Sequence, residues 1–137
     1  MKPLFFLLAG LVLGVGFSDV RAADPPPARV FEIRTYHTLP GRLEALNKRF
    51  REHTLRKFEE HGMTNIAYWT FQDSPAKENT LIYVIAHASR EQAKKNWAAF
   101  VADPEWKKIA DESQRDGKII EKIESVFVDA TDYSPLR

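Results

Sequence analysis

Hydrophobic and polar positions along the chain change between two periods, which predicts both strands and helices. Stretches rich in β-branched and aromatic residues indicate four strands, at 30–37, 65–72, 80–87 and 119–129. Between the first two strands, apolar residues recur at helical spacing as far as Gly62, a residue that suits a helix end. Further helical spacing between the third and fourth strands completes the set of elements.

Capping residues mark the helices that follow the third strand. Ser89 and Gln92 are three residues apart, as in a capping box in which each side chain satisfies a backbone N–H. Asp103 is a typical cap, and Pro104 after it is favoured at the first helical position. We expect Gly117 to end this helical region before the last strand.

The order of elements is β-α-β-β-α-β, which predicts an α+β, ferredoxin-like fold with the helices on one face of an antiparallel sheet. Alternation along the first strand places Glu32, Arg34 and Tyr36 together, and we assign them to the sheet face away from the helices. Too many residues of that face are apolar for a solvated surface. We therefore expect a second subunit to cover it, so that two sheets form a dimeric α/β barrel.

The amino terminus has the order of a secretory signal peptide over residues 1–22: a positive Lys2, an apolar run and small residues before a cut after Ala22. The apolar run over 4–17 is shorter than the roughly 20 residues of a membrane span, which favours cleavage over anchoring. Three prolines predict a stiff linker over 23–29, and the domain occupies 30–137. We expect a periplasmic or secreted protein that has no membrane attachment after cleavage.

Charge and cysteine content exclude several classes of protein. With 20 basic and 19 acidic residues, the chain lacks the net basic charge that nucleic-acid binding requires. Since the chain has no cysteine, disulfides and thiolate metal sites are excluded. The aromatic share of 12% is enough to build a core, so the chain is not predicted to be disordered.

Five sequence features, in the same order, resemble the NIPSNAP family. They are the strand Phe31–Tyr36, the Leu39–Gly41 turn, the Tyr68–Thr70 segment, the Asp103–Trp106 helix start and the carboxy-terminal Ser134–Leu136. The resemblance implies a dimeric α/β barrel, in agreement with the pattern of elements. It does not imply a reaction, because related barrels include monooxygenases, isomerases, haem enzymes and binding proteins.

Charged and aromatic residues of the strands are the candidates for ligand binding. In a barrel interior, Arg34 could hold a carboxylate by a bidentate contact, with Glu32 beside it. The alternative is an internal ion pair between these two residues, because buried charges must be paired. The aromatic candidates are Tyr36, Tyr68, Trp69 and Tyr83. Aromatic side chains with polar tips suit either a ligand pocket or core packing, and for Trp69 we favour core packing.

No metal or cofactor is predicted. The four histidines form no dense ligand motif, and His61 with His87 is the one conceivable pair, so surface or helix-capping roles are favoured. Glycine-rich phosphate loops are absent, and no haem site is supported. The interleaved charges of residues 48–57 indicate a solvated helix face.

The function predicted from these features is an exported dimer that binds a small, partly apolar molecule within its barrel. One alternative is a cofactor-independent enzyme of the monooxygenase or isomerase type, in which Arg34, Tyr36 and Glu32 would polarise a bound carbonyl or enol. The other is an interaction protein whose dimer presents a surface without catalysis. Catalytic residues are not assigned.

Overall fold

Four antiparallel strands form a single sheet in the computed structural model, which describes residues 29–136. The order across the sheet is β2-β3-β1-β4, where the strands are β1 (Val30–Thr38), β2 (Thr64–Thr70), β3 (Thr80–His87) and β4 (Ile120–Val128). This order, with helices on one face, confirms the ferredoxin-like α+β prediction. The predicted signal peptide and residues 23–28 of the predicted linker lie outside the described residues.

The helices are α1 (Leu43–Arg49), α2 (Leu55–Glu60), α3 (Arg90–Ala102) and α4 (Pro104–Ser113), and a 3-10 turn, Pro75–Glu78, lies between β2 and β3. The Ser89 hydroxyl caps α3 by accepting from the backbone N–H of Gln92 at 3.0 Å, whereas the Gln92 side chain donates to Asn96. Asp103 caps α4 as predicted. Over residues 29–136, no helix is long and apolar enough to cross a bilayer.

A π-helical turn, Phe50–Thr54, joins α1 to α2. Its cause is visible in the spacing of the buried residues Leu46, Phe50, Thr54 and Phe58, which follow one another every four residues. On an α-helix of about 3.6 residues per turn, each such step rotates the side chain by about 40° from the buried face. The wider turn, closed by the bond from the Leu55 N–H to the Phe50 carbonyl, takes up this rotation.

The core lies between the helices and one face of the sheet. Phe50 of the π-helical turn contacts the rings of Tyr36, Phe58, Tyr68 and Tyr83, with centroids 5.2–6.1 Å apart. These edge-on contacts are favourable arrangements for aromatic rings. The aromatic cluster therefore fixes the first helical segment on β1, β2 and β3.

Glu32, Arg34 and Tyr36 lie on the helix side of β1, so our assignment of these residues to the opposite face is wrong. Arg34 pairs in register with Tyr83, which is fully buried under the helices. Glu32 has 1% of its surface exposed and Tyr36 has 7%. The reason is that the two charged groups are satisfied by partners on the helix side, as the site geometry below shows.

The sheet face away from the helices carries a group of apolar side chains beside polar ones such as Thr35 and Glu124, and these residues are not the ones that we expected there. Trp69 pairs with Ile82 on this face and is 52% exposed, so its predicted role in core packing is wrong. Val126, on the same face of β4, is 55% exposed. We call this surface the open sheet face; its members are Ile33, Ala67, Trp69, Ile82, Val84, Val126 and Val128.

Candidate functional site

The Glu32 carboxylate lies at the centre of a buried polar cluster on the helix side of the sheet. Oε1 accepts from Nη1 of Arg34 at 2.7 Å and from Oγ of Ser125 at 2.6 Å. Oε2 accepts from Nε1 of Trp97 at 2.7 Å and from Nε2 of His87 at 2.9 Å. One carboxylate thus joins β1, β3, β4 and α3 through four donors.

These four bonds keep Glu32 ionised. Burial alone raises the pKa of a carboxyl group, because it disfavours the charged form. The hydrogen bonds from His87, Ser125, Trp97 and Arg34 more than offset this effect and lower the pKa of Glu32 to about 2. At neutral pH the carboxylate is therefore a fixed negative charge that orients its partners.

Arg34 is held in place but keeps free donor capacity. Its guanidinium carbon lies 4.1 Å from the centroid of the Trp97 ring, a cation–π contact. Its Nε is buried and has no hydrogen-bond partner among the described residues. Burial lowers the pKa of Arg34, but Tyr36, Tyr83 and Glu32 raise it by more, so the group stays charged.

Arg34 lines an open cleft of about 570 Å³ between α3 and the strands β1 and β4. The cleft combines charged groups with two aromatic side chains. Its lining residues are Glu32, Arg34, Arg90, Glu91, Lys94, Trp97, Ser125 and Phe127. We call this the Arg34 cleft.

Five of the six predicted ligand-binding residues lie on this side of the sheet, while Trp69 lies on the other. The predicted internal pair of Glu32 with Arg34 is present. The tyrosines, however, are core residues: the Tyr83 hydroxyl donates to that of Tyr36 at 3.1 Å. Tyr68 stacks on Tyr83 with ring centroids 5.2 Å apart. The structure therefore separates the charged pair, which reaches the cleft, from the three tyrosines beneath the helices.

The histidines act singly. His87 is buried and bonds to Glu32, so a surface or capping role for it is wrong. His61 bonds to Asp103 at 2.8 Å, and therefore the conceivable pair of His61 with His87 does not form. His37 contacts Glu124 at 2.9 Å near the surface.

Three acidic side chains come within metal-binding distance of one another, at Glu60, Asp103 and Glu105. The ammonium group of Lys57 already lies among them, 2.5 Å from Asp103, 2.7 Å from Glu60 and 3.0 Å from Glu105. Lys57 is 3% exposed, so residues 48–57 are not uniformly the solvated face that we predicted. This acidic group holds a lysine where a cation would otherwise bind.

Sequence reasoning missed His87, Trp97 and Ser125 as partners of Glu32. They are 55, 65 and 93 residues from it along the chain, so no local spacing could reveal them. It also missed Arg49, which is buried although it lies in a segment rich in charged residues. The four-residue steps between buried positions are the one signal that could have indicated an irregular helix there.

Comparisons with known proteins agree with the geometry of the fold. The NIPSNAP family model matches residues 31–135. A solved NIPSNAP family protein of unknown function from Agrobacterium tumefaciens is 24% identical, with a TM-score of 0.69 over 81% of this chain and 96% of that one. A NIPSNAP-like domain protein from Burkholderia xenovorans is 15% identical, with a TM-score of 0.68 over 80% and 91%.

A more distant likeness extends to an enzyme class. A putative antibiotic biosynthesis monooxygenase from Nitrosomonas europaea is 14% identical and has a TM-score of 0.55, over 81% of this chain and 98% of that one. No curated protein matches the chain. At these identities the solved structures establish a common fold and leave the reaction open.

Proposed function

The chain belongs to the NIPSNAP family, and from that premise we propose that it binds a small, partly apolar organic anion in the Arg34 cleft. The observation that carries this proposal is the Arg34 guanidinium. It lines the cleft and is oriented by Glu32 and Trp97, and within residues 29–136 its buried Nε has no acceptor. A preoriented guanidinium with free donors is suited to a carboxylate or a similar oxyanion.

The surroundings of Arg34 favour a ligand that has both charge and apolar surface. Arg90 and Lys94 add positive charge on the α3 side of the cleft, and Glu91 is the one further acid besides Glu32 in its lining. Phe127 supplies an aromatic surface, and the Arg90 guanidinium lies 3.7 Å from the centroid of its ring. Pockets that hold small molecules typically combine such apolar walls with a few fixed polar groups.

Binding is better supported than catalysis. A general base works best with a pKa near the working pH, whereas the pKa of Glu32 is about 2. The Tyr36 hydroxyl, which an isomerase or monooxygenase mechanism would use to polarise a carbonyl, is buried and bonded to Tyr83. The residues that the enzymatic alternative requires are thus engaged in the fold.

We further propose that the protein is exported and forms a homodimer through its open sheet face. The support for dimerisation is that Trp69 and Val126 are more than half exposed beside the apolar side chains of Ile33, Ile82 and Val84. A contiguous apolar surface of this kind is typical of a protein interface. In such a dimer the Arg34 cleft stays on the outer, helix side of each sheet, which differs from our expectation of a ligand inside the barrel.

The test compares two ligands of matched shape and different charge. Isothermal titration calorimetry with naphthoate, an aromatic carboxylate, and with the neutral naphthamide measures the contribution of the anion. A charge-assisted hydrogen bond contributes about 1.5–3 kcal/mol, so we expect naphthoate to bind at least about tenfold more tightly. Arg34→Met should abolish this preference, while Arg115→Gln, at a side chain that is 78% exposed, should leave it unchanged.

Arg34→Lys provides a second variant, because it keeps the charge beside Glu32 and removes only the forked geometry. We expect it to weaken naphthoate binding without changing the affinity for naphthamide. Equal affinities for the two ligands in the wild-type protein, or an unchanged preference in both Arg34 variants, would show that Arg34 is only a structural partner of Glu32.

A further inference from the structure

Arg49 is a buried cation without an acidic partner. The residue is 5% exposed, and within residues 29–136 its guanidinium forms no ion pair. Nη1 donates to the Ser113 hydroxyl at a long 3.3 Å, and the buried Nε has no partner among the described residues. Burial lowers the pKa of Arg49, although Tyr36 and Tyr83 partly oppose this. Since an arginine does not give up its proton in a protein, an uncompensated charge remains in the fold.

This guanidinium lines a cavity of about 340 Å³ between α1 and α4. Lys48 also lines it and, in the described part of the chain, has no ion pair either. Three acids line it as well, and each has another partner: Glu52 lies 3.8 Å from His53. Asp116 accepts two bonds from Arg42, at 2.8 and 2.9 Å, and Glu112 lies 3.5 Å from Arg115. Among the described residues, none of these three acids forms an ion pair with Arg49 or Lys48.

The backbone beside Arg49 is specialised. The π-helical turn begins at the next residue, and the Thr54 hydroxyl donates to the Arg49 carbonyl at 3.2 Å. Turns of this kind are rare and occur frequently at functional sites. The guanidinium carbon lies 5.5 Å from the centroid of the Trp106 ring, which fixes the side chain from the α4 side. Arg49 is thus held between Trp106 and Ser113 in the lining of the cavity.

We propose that the cavity between α1 and α4 is a second binding site, which takes the phosphate or carboxylate group of a small molecule. Arg49 is the anchor, and Lys48 at the mouth adds charge attraction. A guanidinium can donate two parallel hydrogen bonds to either group, and the bound oxyanion compensates the buried charge. This site shares no lining residue with the Arg34 cleft, so it is independent of the function proposed above.

The first experiment measures thermal unfolding in a zwitterionic buffer, with inorganic phosphate or acetate added at constant ionic strength set by sodium chloride. We expect one or both anions to raise the Tm of the wild-type protein above its value in chloride alone, because a ligand that binds only the folded state stabilises it. A rise with phosphate alone assigns the site to phosphate groups, and a rise with acetate alone assigns it to carboxylates.

Arg49→Met separates this site from other anion effects. The variant should lose the part of the anion-dependent rise that this site provides and, without added anion, should have a higher Tm than the wild-type protein because no unpaired charge remains buried. The control Arg51→Gln, at a neighbouring side chain that is 67% exposed, should keep the full rise. Arg34→Met, which removes the anchor of the other cleft, should keep the part of the rise that Arg49 provides. The same anion-dependent rise in Arg49→Met would overturn the proposal.

A direct measurement on the wild-type protein covers the case in which Arg49→Met does not fold. The NMR resonance of the Arg49 Nε–H, assigned by its absence in Arg49→Lys, should shift during titration with phosphate or acetate. In Arg49→Lys, calorimetry should give an affinity for the same anion about tenfold or more below that of the wild-type protein, since the forked contact is lost. A resonance that stays in place throughout both titrations contradicts the site.

Discussion

The indole Nε1 of Trp97 donates to the Glu32 carboxylate at 2.7 Å, which joins helix α3 to the strand β1 by a hydrogen bond to a buried charge. The Arg34 guanidinium lies over the same indole ring, with its central carbon 4.1 Å from the ring centroid. One tryptophan therefore contacts both members of the ion pair through different parts of its ring. The pair is consequently part of the structural core and also one wall of the Arg34 cleft.

Glu32→Gln should destabilise the protein strongly. The substitution keeps the side-chain volume but leaves the Arg34 charge without its counterion, and breaking a buried pair in this way costs about 3–5 kcal/mol. Urea unfolding should show a lower midpoint with an unchanged m value. The control is Glu124→Gln, whose surface pair with His37 is worth about 0–1 kcal/mol. Similar losses in the two variants would contradict the central role of Glu32.

The pKa of Glu32 predicts an acid-sensitive component of stability. The folded-state value of about 2 lies below the ordinary 4.5, so between these values the unfolded chain binds more protons. The contribution of Glu32, about 3 kcal/mol, is therefore complete above about pH 4.5 and is lost as the pH falls towards 2.

Urea unfolding of the wild-type protein and Glu32→Gln, from about pH 6 to about pH 3, checks this prediction. The difference in unfolding free energy between the two proteins should shrink as the pH falls through this range. Other carboxylates with lowered pKa values, such as Glu60 and Glu105, are common to both proteins and cancel in the difference. A constant difference at every pH would mean that Glu32 has an ordinary pKa.

Two glycines separate the effect of backbone strain from that of a close contact. Gly41 and Gly62 have φ angles of 72° and 76°, in the left-handed region. Alanine is strained in this conformation, so substitution at either position should lower the free energy of unfolding by about 1–2 kcal/mol. A Cβ at Gly62 would also lie 3.3 Å from the Asn96 side chain, whereas a Cβ at Gly41 would have none of its potential neighbours in the described chain within 4 Å. Asn96 cannot yield freely, because it donates to the Gly62 carbonyl at 3.0 Å.

We therefore expect Gly62→Ala to lower the free energy of unfolding by more than Gly41→Ala, measured by urea denaturation. Gly62→Ala combined with Asn96→Ala provides the internal check. If the extra cost arises from the contact with Asn96, the loss of unfolding free energy in this double variant should be smaller than the sum of the losses in the two single variants.

The proposed dimer can be tested by placing a charge on each side of the sheet. Trp69→Asp puts a carboxylate on the open sheet face, on the edge strand β2, and loss of an aromatic interface residue weakens association by about 2 kcal/mol or more. Sedimentation equilibrium should show a dimer for the wild-type protein and a shift to monomer for Trp69→Asp. Val101→Asp, at a helical side chain that is 59% exposed, should remain dimeric. A wild-type monomer would rule out the interface.

Local signals in the sequence were sufficient for most of the secondary structure. The third strand has the predicted bounds, because Thr80–His87 is a continuous run of strand-forming residues. Helix α4 begins at Pro104 behind the predicted Asp103 cap. The second strand ends at Thr70, two residues before its predicted end, where the chain turns away from its neighbour. Such boundaries depend on pairing with another strand, which local spacing does not encode.

The sequence by itself determined the elements, their order and the resemblance to the family, since caps, strand-forming runs and helical spacing act within a few residues. It also placed Glu32 and Arg34 on one face of β1. Only the tertiary structure decided which face the helices cover, because both faces of this strand carry large apolar or aromatic residues. The choice depends on donors from His87, Trp97 and Ser125, which the fold brings to one carboxylate from distant parts of the chain.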